Sequence, residues 1–139
     1  MDTVDCQVSP NRVESYLRGC PVRSVLEMFA NKWTLLVMVT IRRHEGAIRF
    51  NGLRRELDGV TQKMLTQTLR TLEREGLVSR AVYPTVPPRV EYSLTELGLD
   101  ASRLLVGVSD WSEQHIDEIL RSRAAFDTRS AQDPLPVKS

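Results

Sequence analysis

Residues 51–95 read NGLRRELDGVTQKMLTQTLRTLEREGLVSRAVYPTVPPRVEYSLT, and the order of signals along this stretch decides the fold. Asn51 is placed to cap a short helix that turns Leu53 and Leu57 inward and Arg54 and Arg55 outward, and Asp58-Gly59 stops it. Thr61 caps the next helix, Gln62 to Glu75, in which Leu65, Leu69 and Leu72 recur at helical spacing and Gly76 supplies a left-handed exit. A helix, a tight turn containing glycine and a capped second helix form the helix-turn-helix pattern. Leu77 to Tyr83 then alternates as a strand, and Pro84 to Pro88 is a stiff turn. Val90 to Leu94 alternates back with Val90, Tyr92 and Leu94 on one face, so the two strands make a wing. The predicted class is mainly α with a small β-wing, a winged helix-turn-helix.

Upstream, residues 1–19 are expected to form a loose arm and a short helix near Asn11 to Leu17. Cys20-Pro21 opens a helix whose Val22, Val25, Leu26 and Phe29 form a stripe expected to face a core. A further helix, Lys32 to Arg43, carries Trp33, Leu36, Val37, Thr40 and Ile41 on the most apolar face in the chain, the expected centre of the core. Ile48 suits a short strand. Downstream, Thr95 caps a long helix with Glu96 in its first turn, where the dipole favours an acid. Leu97, Ala101, Leu104, Val108, Trp111 and His115 follow its three-four spacing, widened by Leu105, Ile116 and Ile119. That stripe exceeds what a domain this small covers alone, and burial against a twin copy would satisfy it. The expected organisation is therefore 1–19 arm and short helix, 20–95 winged helix-turn-helix, 96–127 dimerisation helix and 128–139 disordered tail.

The length of 139 residues allows one domain with tails, and 41% hydrophobic with 27% charged residues is the balance of a globular chain. No apolar run reaches the length of a membrane span and the first residues carry Asp2 and Asp5, so no membrane partner and a cytoplasmic location are expected. The net charge of +1 hides a segregation. From Arg42 to Arg89 ten Arg or Lys residues face five acids, +5, while the remainder holds nine against thirteen, −4. A basic middle between acidic ends suits a chain in which one face meets phosphates and the rest stays solvated. Cys6 and Cys20 have only His44 and His115 as companions, at no ligand spacing, so no metal is expected. No Cys-x-x-Cys, cysteine–histidine pairing or glycine-rich phosphate loop is present, so neither catalytic residues nor a cofactor are expected.

With the leucine stripe inward, the second helix of the motif leaves Gln62, Lys63, Thr66, Gln67 and Arg70 outward, beginning beside Thr61. Gln can pair bidentately with adenine, Arg or Lys with guanine, and the Thr methyl can touch that of thymine. Arg54 and Arg55 lie on the preceding helix, which crosses the backbone in such modules, and are read as phosphate contacts. Arg89, beside two prolines at the wing, is read as a minor-groove or phosphate contact. Arg70→Ala and Arg89→Ala are each expected to weaken DNA binding without lowering thermal stability.

Several segments together resemble the HxlR-type winged-helix regulators, a branch related to MarR. They are Cys20-Pro21-Val22, Lys32-Trp33-Thr34, Arg49-Phe50, Leu53-Arg54, Thr61 to Thr66, Leu69-Leu72-Glu73-Gly76-Leu77, and Tyr83-Pro84 through Pro87 to Thr95. The resemblance spans Cys20 to Ile119 and implies a homodimer through N- and C-terminal helices. Its interface would draw on Leu97, Ala101, Leu104, Val108, Trp111 and Ile116. The partner implied is a double-stranded DNA operator with inverted-repeat half-sites. The resemblance also implies that Cys20 matches a cysteine which senses electrophiles or oxidants in several members. A thiol at a helix N-terminus near Arg18 and Arg23 has the surroundings that lower its pKa. Cys6 matches no family position and could act as a resolving partner. Two alternatives stay open: control by a small-molecule effector at the dimer interface, and a winged-helix protein-interaction module without DNA binding.

Overall fold

The computed structural model describes residues 21–132. The N-terminal arm, the short helix near Asn11, Cys6 and Cys20 therefore lie outside the described residues. The elements run α1 (Pro21–Phe29), α2 (Lys32–Arg43), β1 (Ile48–Arg49), α3 (Phe50–Glu56), α4 (Gln62–Arg74), β2 (Val78–Tyr83), β3 (Arg89–Leu94) and α5 (Glu96–Gln132). The three strands form one antiparallel sheet in the order β1-β3-β2. This is the mainly helical, winged architecture that the sequence predicts.

The chain divides between Arg103 and Leu104 into two compact units. The first holds the helix-turn-helix, the wing and the first two turns of α5, so the 95/96 boundary expected from the sequence is not where the compact unit ends. Its core is built on α2, where Val37, Met38, Val39, Thr40 and Ile41 are buried in succession. Five buried neighbours in a row cover every side of a helix, because α2 packs against α1, α3, α4 and β3 at once. The expected face was too narrow: Trp33 and Leu36 are only half-buried, while Met38 and Val39 are buried. Leu53 and Leu57 from α3, and Leu65, Leu69 and Leu72 from α4, complete the core.

Two sequence expectations fail here for identifiable reasons. The α1 stripe is not core: α1 has no buried residue, and Val25 and Leu26 are 38% and 48% exposed. Among the described residues only α2 packs substantially on α1, which is too little to bury a whole stripe. Asn51 is not the cap of α3 but its second residue, and the cap position falls on Arg49, which makes no side-chain cap bond. Pairing of Arg49 with Glu91 of β3 holds Arg49 extended at φ −80°, ψ 157°, so the helix starts directly after the strand. Tertiary strand pairing overrides the local capping preference.

Polar contacts fix the angles between these elements. Asn31 caps α2 by accepting a hydrogen bond from the Trp33 amide at 2.8 Å. His44 Nε2 lies 2.9 Å from both carboxylate oxygens of Glu56, tying the end of α2 to the end of α3. Arg42 Nη1 donates to the buried Ser102 hydroxyl at 2.7 Å and to the Leu99 carbonyl at 3.3 Å, fastening α2 to the start of α5. Thr95 does cap α5: its hydroxyl accepts from the Gly98 amide at 3.0 Å and donates to the Gly76 carbonyl at 2.6 Å. Gly76, at φ +80°, is the left-handed exit from α4.

The second unit is the remainder of α5. Leu104, Val108, Trp111, Ile116, Leu120 and Phe126 are all at least 41% exposed along it. The Trp111 and His115 rings stack at 4.7 Å. The helix runs on through Gln132, so 128–132 are ordered as helix and not as the start of a disordered tail. From Thr128 to Gln132 there is no glycine or proline to stop it, and polarity alone does not end a helix. No single helix among the described residues is long and apolar enough to cross a membrane.

Candidate nucleic-acid interface

Helix α4 begins at Thr61, extended at φ −83°, ψ 159°, whose hydroxyl accepts from the Met64 amide at 3.1 Å. The hydroxyl keeps its own proton, so the same group can still donate to a phosphate. Leu65, Thr68, Leu69 and Leu72 are buried, and Thr68 satisfies its hydroxyl on the Met64 carbonyl at 2.8 Å. This register sends Gln62, Lys63, Thr66, Gln67 and Arg70 into solvent. Among the described residues none of the five side chains makes a hydrogen bond or an ion pair, so their donors and acceptors are uncommitted. The acids lie toward the far end of α4, at Glu73 and at the C-cap residue Glu75, which is 3.7 Å from Arg74.

The remaining cations separate into two groups. Arg54 and Arg55 are both exposed in the last turn of α3. Only Arg55 reaches the cleft of about 700 Å³ between α3 and the wing, which it lines with Arg49 and Arg89 and with Phe50, Asn51 and residues 85–88. Arg49, which entered the sequence reading only through the family resemblance, comes beside Arg89 through its pairing with a strand forty residues away. Arg89 is not a free tip residue. It opens β3 opposite Tyr83, its guanidinium lies 4.4 Å over the Tyr83 ring, and its Nε sits 3.2 Å from Glu91 Oε2. That Nε is buried and meets Glu91 as an ion pair without hydrogen-bond alignment. What stands fully exposed at the tip is Val86, beside Thr85, whose hydroxyl donates to the Pro87 carbonyl at 2.7 Å. Arg89, expected to make a minor-groove or phosphate contact, thus stands behind an apolar tip and not at it.

Residues 28–120 match the family model described as HxlR-like helix-turn-helix. The chain belongs to that family. The HTH-type transcriptional regulator YtfH of Escherichia coli (strain K12) is 45% identical over 108 residues, covering 78% of this chain and 84% of its own. The HTH-type regulator YdeP of Bacillus subtilis (strain 168) is 40% identical over 117 residues, 84% of this chain and 88% of its own. Among solved structures, the ytfH regulator from Salmonella typhimurium superposes with a TM-score of 0.73 at 41% identity, covering 78% of this chain and 96% of that one. The redox regulator HypR in its oxidised form gives 0.62 at 41% identity, over 68% and 96%. This HxlR-type chain is a transcriptional regulator of the helix-turn-helix class, and such regulators bind DNA; it is not an enzyme. Cys20, the thiol singled out for sensing, precedes the first described residue.

Proposed function

We propose that this HxlR-type regulator binds duplex DNA sequence-specifically as a homodimer, with α4 of each protomer in the major groove. The observation that carries the reading is the outward face of α4: five polar or cationic side chains in a row of turns, none committed to another part of the described protein. Lys63, Gln67 and Arg70 have the donor and acceptor patterns that read base edges, while Arg54, Arg55 and Arg89 carry the charge that would meet phosphates. The exposed stripe of Leu104, Val108, Trp111 and Ile116 on α5, continued at Leu97 and Ala101, supports a second copy as its cover, because a long exposed apolar stripe is costly in water. Operators would then carry inverted half-sites about one helical turn apart. To test the reading, bound duplexes are enriched from fragmented genomic DNA, and Lys63→Ala and Gln67→Ala are titrated against enriched and shuffled sites. Each variant is expected to lose about 1–3 kcal/mol of discrimination while keeping its affinity for shuffled DNA. Equal losses on both kinds of site would refute base reading by this face.

A second feature, thiol control through Cys20, is supported by the likeness to HypR, a redox regulator solved in oxidised and reduced forms. Cys20 immediately precedes Pro21 in the sequence, and a thiol at a helix N-terminus, where the sequence reading puts it, is one whose thiolate the dipole favours. Oxidant titration of DNA binding should shift the parent and leave Cys20→Ser unmoved; an equal response from Cys20→Ser would assign sensing elsewhere, with Cys6 the next thiol to test.

A further inference from the structure

The cleft between α3 and the wing has a feature that the α4 reading does not use. Strand register puts Arg49 opposite Glu91 and Arg89 opposite Tyr83, and residues two apart on a strand share a face. Arg49, Glu91, Arg89 and Tyr83 therefore lie on one face of the sheet. Arg55, one and a half turns along α3 from Arg49, joins them in lining the cleft. No carboxylate lines it. Glu91 engages Arg89 alone: among the described residues Arg49 and Arg55 make neither an ion pair nor a side-chain hydrogen bond, and both are exposed. Three arginines lining one cleft, with Glu91 the single carboxylate on the same sheet face, leave it with net positive charge that favours an anion. The arrangement is also stiff. Arg89 is held by Tyr83 and Glu91, strand pairing holds the backbone at Arg49, and Pro87 and Pro88 precede Arg89 on the wing side of the cleft. At about 700 Å³ the cleft is on the scale that receives a nucleotide-sized group, not a single small ion.

We infer that this cleft seats the sugar-phosphate backbone of the DNA strand beside the wing, with Arg49 as an additional phosphate contact acting alongside Arg55 and Arg89. The inference rests on the DNA-binding reading above and adds to it the place where the backbone is gripped. Guanidinium pairs bidentately with phosphate, and the stacked, ion-paired Arg89 loses little rotamer freedom on doing so. Because phosphates carry no sequence information, the cleft fixes the register of α4 on the duplex and leaves base choice to α4.

The test is equilibrium binding of the full chain to a generic duplex of about 30 base pairs, roughly three helical turns, across a series of salt concentrations. Each phosphate contact removed lowers the slope of log K against log salt by about 0.9. Arg49→Ala is expected to lower it by that amount per protomer, to leave the ratio of enriched to shuffled binding unchanged, and to keep the parent melting temperature. Arg49→Lys, which retains the charge, should restore most of the slope. In a parallel arm inorganic phosphate alone is added to the parent and to Arg49→Ala, with melting temperature as the readout. An unchanged slope in Arg49→Ala overturns the inference. So does a phosphate-induced stabilisation that depends on Arg49 without any change in slope, which would make the cleft a site for free phosphate. Arg70→Ala separates the two levels. If it weakens binding while Arg49→Ala does nothing, the α4 reading stands and the cleft assignment falls; if the parent shows no salt-dependent binding to any duplex, both fall.

Discussion

Arginines in the basic middle of the chain have different tasks, and burial with partner identity tells them apart. Arg42 is tied to Ser102 and Leu99, so its charge serves internal packing. Arg89 is stacked on Tyr83 and paired with Glu91, while Arg70 has no partner among the described residues. The sequence expectation that Arg70→Ala and Arg89→Ala behave alike is therefore revised. Arg70→Ala is expected to weaken DNA binding and leave unfolding free energy within about 0.5 kcal/mol of the parent. Arg89→Ala is expected to weaken binding and also to cost about 1 kcal/mol, from the lost ring contact and the half-buried pair with Glu91. Urea denaturation beside anisotropy titration checks both; an unaltered midpoint for Arg89→Ala would show that its contacts do not stabilise the wing. The outward residues of α4 were legible because a leucine period of three and four fixes both faces of a helix at once. Arg49 was not, since its neighbours Glu91 and Arg89 reach it only through strand pairing, which no local pattern encodes.

Among the elements, the junction of α4, β2 and α5 determines how the wing is held against the helix-turn-helix. Thr95 donates to the Gly76 carbonyl, its amide donates to the Leu77 carbonyl at 3.1 Å, and Gly98 is buried against the Leu77 backbone. A Cβ on Gly98 would overlap the Leu77 carbonyl oxygen, and a backbone atom cannot swing aside as a side chain does. Gly98→Ala is thus expected to destabilise by more than about 3 kcal/mol, although alanine is the better helix former in isolation by about 1 kcal/mol. A thermal melt of Gly98→Ala against Gly107→Ala makes the comparison internal, since nothing lies within 4 Å of a Cβ at Gly107. Equal melting temperatures for the two would contradict the close approach. The sequence announced the cap at Thr95 and the exit at Gly76, because both are local signals. It was silent on Gly98, which reads as a weak spot in a helix until the Leu77 backbone it touches, just before β2, is known. The α1 stripe misled for the opposite reason: periodicity marks an apolar face but not whether anything covers it.

Over the whole molecule, a small winged unit with a solvated basic face is joined in sequence to a helix with an unburied apolar stripe, and the proposed pairing of two chains would account for both. In that proposal one copy of α4 would span a single major-groove segment and leave the α5 stripe in water, whereas two copies would bury the stripe and present two reading heads. Hydroxyl-radical footprinting of the parent and of Trp111→Glu on an enriched operator brings these features into one experiment. The parent should protect two windows whose centres are about 10 to 10.5 base pairs apart on one face of the duplex, and Trp111→Glu should lose the paired pattern at the same protein concentration. A single protected window for the parent, or paired windows that survive Trp111→Glu unchanged, would contradict the account of two α4 helices delivered to DNA by association along α5.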